Sequence, residues 1–187
     1  GAGGSLRPGG RLIAVARRLW LAVWFLLPAL ASAEVTESGQ HGFTVTHKIS
    51  TTAEPFVVYR TLTAHIGEWW SGEHSWSGDA ANLYMDVETG GCFCEKLPNG
   101  GRVEHLRLLY FSPGEELRFD GALGPLQTLP VSGRMIWKIE KTEAASLVHF
   151  VYKVFGNPVG GLAGIAPAVD RVIGEQLQRL GARLEPR

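Results

Sequence analysis

The chain has 187 residues, which suits one domain or at most two. Its 45% hydrophobic and 19% charged residues are ordinary for a globular protein with a real core. Formal net charge is zero, but Arg7, Arg11, Arg17 and Arg18 are the only charges before residue 34. Taking those four arginines from the 18 basic residues leaves 14 against 18 acidic ones, a net charge of −4. A mildly acidic domain is a poor nucleic-acid binder, because that work needs a clustered basic face.

Residues 1–33 read as a secretory signal. Arginines come first, an apolar run follows over 19–30, and Ala31-Ser32-Ala33 supplies the small residues of a cleavage site. Cleavage is expected before Glu34, giving an exported periplasmic or secreted protein. If uncleaved, the same run is a membrane anchor, although it contains Pro28 and is short against the roughly 20 residues of a spanning helix. Arg17-Arg18-Leu19-Trp20 matches a twin-arginine signal only in part. Residues 34–42 form a polar leader, and 43–187 are one folded domain.

The first strand is expected over 43–50, where Phe43, Val45 and Ile49 alternate with Thr44, Thr46 and Lys48. Ser50-Thr51-Thr52 then offers an N-cap, with Glu54 and Pro55 in the first turn of a short helix carrying Phe56, Val57, Tyr59 and Leu62. A second helical piece covers 65–70. Strands follow over 82–88, 92–97, 102–111, 116–121, 131–141 and 147–155, separated by turn signals such as Pro98-Asn99-Gly100-Gly101. In the last two, Met135, Trp137 and Ile139, and Val148, Phe150, Tyr152 and Val154, each share one face. A helix closes the chain over 163–184, with Leu162, Ile165, Val169, Val172, Ile173, Leu177, Leu180 and Leu184 at spacings of three and four. Pro186 is its expected stop.

This order gives an α+β fold: a curved antiparallel sheet of six to seven strands around one long C-terminal helix, with two short helices after the first strand. A long twisted sheet curls, and a lone helix has only that sheet to bury its apolar stripe against. The helix begins among Gly160, Gly161, Ala163, Gly164, Ala166 and Ala168. Small side chains there leave a space between helix and sheet, the natural ligand pocket.

The element order and several local motifs resemble the START/Bet v 1-like (SRPBCC) superfamily, in particular the branch similar to the C-terminal domain of the activator of Hsp90 ATPase. The resemblance rests on Trp69-Trp70, on Gly90-Gly91-Cys92-Phe93-Cys94-Glu95, on Phe111-Ser112-Pro113-Gly114-Glu115-Glu116-Leu117 and on the terminal helix, and it covers about residues 43–184. It implies binding of apolar or amphipathic small molecules in a helix–sheet cavity, with some members enzymes. Fold analogy alone does not choose among these. The signal segment departs from the Hsp90 role, whose partner is cytosolic.

Seven residues are the candidate ligand-binding set: Trp69, Trp70, Phe93, Glu95, Trp137, Phe150 and Tyr152. The aromatics offer large contact areas and polar handles, and plain core packing is the competing reading for each. Glu95 shares a face with Phe93 and Leu97. In an apolar cavity its pKa would rise by desolvation and suit proton transfer. Alternatively, it is a hairpin-end carboxylate that bonds a neighbouring strand or helix terminus. Of the six histidines, His41, His47, His65, His74, His105 and His149, none forms a tight ligand motif. His65, Glu68, His74 and Trp76 form a candidate pocket-mouth cluster, while His105 and His149 are placed on the outer face. Cys92 and Cys94 read as small strand residues, an intermolecular contact or half a metal site. Two positions apart on a strand, they lie too far apart for an unstrained bridge. No zinc set, nucleophile elbow or phosphate loop is present.

No cofactor or metal is expected. The leading function is a binder of an apolar small molecule or lipid. A protein-interaction module at the envelope, a cyclase- or hydratase-type enzyme using Glu95, and transient membrane contact through the tryptophans stay open.

Overall fold

The computed structural model describes residues 1–4 and 32–185. The expected signal falls largely on 5–31, outside the described residues, as does Pro186.

The sheet has eight antiparallel strands in the order β1-β2-β8-β7-β6-β5-β4-β3. They are β1 (Ser32–Ser38), β2 (Gly42–Thr51), β3 (Leu83–Met85), β4 (Cys92–Lys96), β5 (Arg102–Ser112), β6 (Glu116–Asp120), β7 (Val131–Thr142) and β8 (Ala145–Gly156). From β3 to β8 the strands follow one another as a meander, because short turns leave each strand no partner but its neighbour. The chain then closes back on itself where β8 pairs with β2 along its whole length, from Gly42↔Phe155 to Thr51↔Ser146. One strand exceeds the six or seven expected. The leader pairs antiparallel with β2 as β1, which begins two residues before the expected cleavage point. Its short polar sequence lacks the apolar alternation that marks the others.

Between β2 and β3 lie α1 (Pro55–Ala64) and α2 (Ile66–Trp69). Pro55 starts α1 at the position where its missing N–H costs nothing. The expected Ser/Thr cap is absent: Glu54 is the N-cap residue, without a side-chain bond, and Thr51 Oγ1 instead accepts the Ala53 N–H. Val58, Tyr59 and Leu62 are buried, whereas Phe56 and Val57 face outward.

α3 (Ala166–Leu184) packs on the concave side of the sheet, its stripe of Ile173, Leu177, Leu180 and Leu184 buried. The opposing residues are the alternating ones read from sequence: Phe43, Val45 and Ile49 of β2, Met135, Trp137 and Ile139 of β7, and Val148, Phe150, Tyr152 and Val154 of β8. Gly174 lets helix and sheet approach closely. A Cβ there would stand 3.1 Å from the His47 ring.

Candidate functional site

The helix–sheet interface is solid at one end and hollow at the other. Toward the C-terminus of α3, leucines meet a stack of large aromatics. Trp137 contacts Phe150 edge-on at 4.6 Å between ring centroids and Trp69 at 6.3 Å. Toward the N-terminus, Ala168, Val169, Val172 and Ile173 of α3, with Ile165 just before it, stand along an unfilled space. A cavity of about 430 Å³ lies there, within the usual range of ligand sites. Its floor is Phe93, His105 and Tyr152. The 70–76 loop, through Trp70, His74 and Trp76, forms one wall, and a 3-10 turn at Gly124–Thr128, through Pro125 and Leu126, forms another.

Of the seven candidate residues, Trp70, Phe93 and Tyr152 line this cavity. Trp69, Trp137 and Phe150 belong to the solid end and are buried there. The two groups are joined edge to edge, Trp69 to Trp70 at 5.6 Å and Trp70 to Phe93 at 5.3 Å. Strand parity could not separate them, because parity tells inward from outward but not which end of the interface a residue occupies. Tyr152 is fixed on both sides: its hydroxyl donates to the Gly121 carbonyl and accepts the Leu123 N–H at 2.8 Å. Its ring lies over Gly133, where any Cβ would meet Tyr152 Cε2 at 2.7 Å. Burial pushes the Tyr152 pKa up, so the phenol is neutral.

Glu95 is fully buried but does not line the cavity. Its carboxylate accepts the backbone N–H groups of Trp76 at 3.0 Å and Ser77 at 2.5 Å, and meets His105 Nε2 at 2.9 Å. The expected rise in pKa is corrected. Burial does push it up, but the hydrogen bonds from Ser77, Trp76 and His105 together outweigh burial and hold the carboxyl below its ordinary range. Glu95 therefore ties the wall loop to the sheet: its bond to His105 of the neighbouring strand fits the second of the two readings, and its bonds to the loop were not expected.

His105 is not on the outer face. Across β4 and β5, Phe93 pairs with Leu106 and Cys94 with Glu104, so His105 is the extra residue of a β-bulge. The bulge turns His105 and Leu106 inward together. A sequence signal existed: Val103, Leu106 and Leu108 are spaced three and then two apart, which no regular strand produces. Burial pushes the His105 pKa down and outweighs the upward pull of Glu95, leaving a neutral ring.

The cysteine reading is also corrected. Cys92 and Cys94 are joined as a disulfide, with Cα atoms 5.5 Å apart. That separation is within the usual range, where a fully extended strand would hold them farther apart.

The wall loop is also fastened to α3. Gln176 Oε1 accepts the Ser71 N–H at 2.7 Å, Arg179 Nε donates to the Trp69 carbonyl at 2.8 Å, and His74 Nε2 meets Glu175 at 3.0 Å. Of the expected mouth cluster, His74 and Trp76 reach the cavity, whereas His65 and Glu68 bond each other on the surface outside it. His149 pairs with Glu140 on the outer face. His47, inward by the parity of Phe43 and Val45, bonds Asp170 of α3 at 2.9 Å away from the cavity. Among the described residues, no three His, Cys, Asp or Glu side chains gather as metal ligands would. Among those residues, too, no helix is long and apolar enough to cross a membrane.

No family model matches the chain, and no curated protein matches it in sequence. Similarity to solved structures is extensive. A protein from Rhizobium leguminosarum aligns over 83% of this chain and 97% of its own, with a TM-score of 0.57 and 16% identity. CalU16 from Micromonospora echinospora aligns over 84% and 86%, with a TM-score of 0.54 and 12% identity. DynU16, a protein in the dynemicin biosynthetic locus, aligns over 75% of this chain and 46% of its own, with a TM-score of 0.52 and 14% identity. At such identities the likeness is one of fold: a helix gripped by a curled antiparallel sheet.

Proposed function

We propose that this protein is an exported binder of an apolar or lipid-like small molecule, held between α3 and the sheet. The observation that carries the reading is the cavity itself, about 430 Å³ with walls dominated by Trp70, Phe93, Leu126, Val169, Val172 and Ile173. Burying an apolar molecule there removes its surface from water at about 25 cal/mol per Å². Of the polar side chains around it, Trp70, Ser75 and Tyr152 bond the protein's own backbone and His74 and His105 meet carboxylates outside the cavity, so the site offers mainly contact area. Membership of the START/Bet v 1-like superfamily, with the Hsp90-activator branch as the nearer likeness, is part of the proposal. It is supported by the element order and the Gly90-to-Glu95 motif. Export rests on the arginine, apolar and small-residue pattern of residues 1–33.

Two competing readings lose support. A protein-docking surface at Trp69-Trp70 needs those rings exposed, and both are buried. Proton transfer by Glu95 needs the carboxylate in the cavity, and its oxygens are taken up by Trp76, Ser77 and His105.

Native mass spectrometry of the protein, produced from the full chain in an exporting bacterial host and purified gently, tests this. The expected result is a chain beginning at Glu34 with a small apolar molecule that dissociates on activation. A chain that carries nothing and takes up no apolar compound would overturn the binding reading. A chain retaining residues 1–33 would overturn signal cleavage.

A further inference from the structure

Two polar residues of the cavity wall are exposed and unused by the fold, Glu73 and Trp76. Glu73 lies in a 3-10 turn at Gly72–His74, and Trp76 follows three residues later, 51% exposed. The backbone on either side of them is fixed. Gln176 holds the Ser71 N–H, and Glu95 holds those of Trp76 and Ser77. The neighbouring polar side chains have partners: His74 meets Glu175, and Ser75 Oγ donates to the Gly72 carbonyl. The Glu73 carboxylate and the Trp76 indole N–H have none among the described residues.

Charge around the cavity is one-sided. Among the described residues that line it, Glu73 is the one carboxylate, and there is no lysine or arginine. The arginines of α3 stay outside: Arg179 donates to the Trp69 carbonyl, Arg183 pairs with Glu68, and Arg171 is not a lining residue. The His105 ring is neutral. A helix start can receive an anion through its free N–H groups. Here that place is closed. The Ile165 and Ala166 N–H groups bond the Leu162 carbonyl, those of Ala168 and Val169 bond the Ile165 carbonyl, and Pro167 has no N–H. An anionic head, such as that of a fatty acid, would meet Glu73 and find no cation. A cationic head finds a carboxylate and an indole ring, and both attract it.

We propose that the ligand is an apolar body with one cationic head, an amine or a quaternary ammonium, whose body fills the cavity while its head rests at the rim beside Glu73 and Trp76. The inference rests on the cavity-binding reading and names the ligand class for that same site. The apolar walls supply affinity, and the rim selects the sign of the head. Glu73 acts there as a point of charge next to a low-dielectric cavity, which concentrates its field on whatever occupies the opening.

Three probes with one ring system test this: 2-naphthylmethylamine, 2-naphthalenemethanol and 2-naphthoate, titrated calorimetrically into the full chain at neutral pH. The wild type should bind the amine best, the alcohol next and the carboxylate least. The amine-to-alcohol affinity ratio is the main readout, because the shared ring cancels. It should be about fivefold higher in the wild type than in Glu73→Gln, the effect of one rim ion pair with its ring contact. In Trp76→Leu the ratio should fall by about twofold. A ratio that is the same in the wild type and Glu73→Gln, or a carboxylate that binds best, overturns the head-group assignment and leaves the binding reading standing. If none of the three binds the wild type, both fall.

A second measurement needs no variant. Raising the salt from about 0.01 M to about 1 M shortens the screening length from about 30 Å to about 3 Å. The wild-type amine-to-alcohol ratio should drop toward one over that range. A preference for the amine that salt leaves untouched would contradict the role of Glu73.

Discussion

The two ends of the helix–sheet interface face the same sheet and use the same helix, yet one is solid and the other hollow. At the solid end, Leu177, Leu180 and Leu184 meet Trp69, Trp137 and Phe150, all buried. At the hollow end, Ala168, Val169 and Val172 stand across from Phe93, His105 and Tyr152 with a cavity between them. The difference follows the helix, with leucines at one end and alanine, valine and isoleucine at the other. It separates two tasks: the leucine end supplies stability, and the alanine–valine end supplies space. A hollow of this size forgoes dispersion contacts that a filled core would have. The 70–76 wall is correspondingly well tied, to α3 through Gln176 and Arg179 and to the sheet through Glu95.

Substitutions should break this comparison unequally. The largest effect is expected from Trp137→Ala, which empties the solid end and should cost about 4 kcal/mol in urea unfolding. Trp137→Phe should cost far less, because the indole N–H has no partner to lose. A Trp137→Ala protein that unfolds like the wild type would show that the stack is not the stability centre.

Next comes Glu95→Ala, which strands the Trp76 and Ser77 N–H groups and the His105 ring. A loss of about 3 kcal/mol at neutral pH is expected. The pH dependence has a definite sign. The folded-state pKa of Glu95 lies below its unfolded value, so its contribution is present above the unfolded carboxylate range, about pH 4.3, and is lost as pH falls through the lowered folded value. The gap between wild type and Glu95→Ala should therefore narrow in acid. A gap that widens there would mean that Glu95 is protonated in the native state.

Reducing the Cys92–Cys94 bridge should cost about 1.5 kcal/mol, as expected for so short a closed loop. It is read as a small shift of the unfolding midpoint on adding dithiothreitol, abolished in Cys92→Ser. The smallest effect should come from Arg183→Ala, which breaks an exposed pair with Glu68. Its melting curve should overlay the wild type, because solvent screens such pairs.

Much of this fold was legible because alternation and turn chemistry act locally. The β7 and β8 faces, the meander and the α3 stripe follow from residue period alone. Small residues at the start of the helix pointed to the hollow end, but only Ala168 of them lines the cavity, and Gly160, Gly161, Ala163 and Gly164 precede the helix. β1 was invisible, since its pairing with β2 is a tertiary event that its polar sequence does not announce. The cavity floor was legible only in part. Phe93 and Tyr152 lie where parity puts them, but His105 was assigned outward because a regular strand was assumed through a bulge. One inserted residue changed the direction of a histidine. The disulfide was missed because the cysteines were given the spacing of a fully extended strand.

The most direct test of the account fills the hollow end and leaves the solid end alone. N-phenyl-1-naphthylamine, a neutral apolar fluorophore, would be titrated into the wild type and into the double variant Val169→Phe, Val172→Phe, with unfolding curves measured beside them. The account predicts saturable one-to-one binding to the wild type and its loss in a variant that still unfolds cooperatively. Equal binding by the two proteins, or none by the wild type, would contradict it.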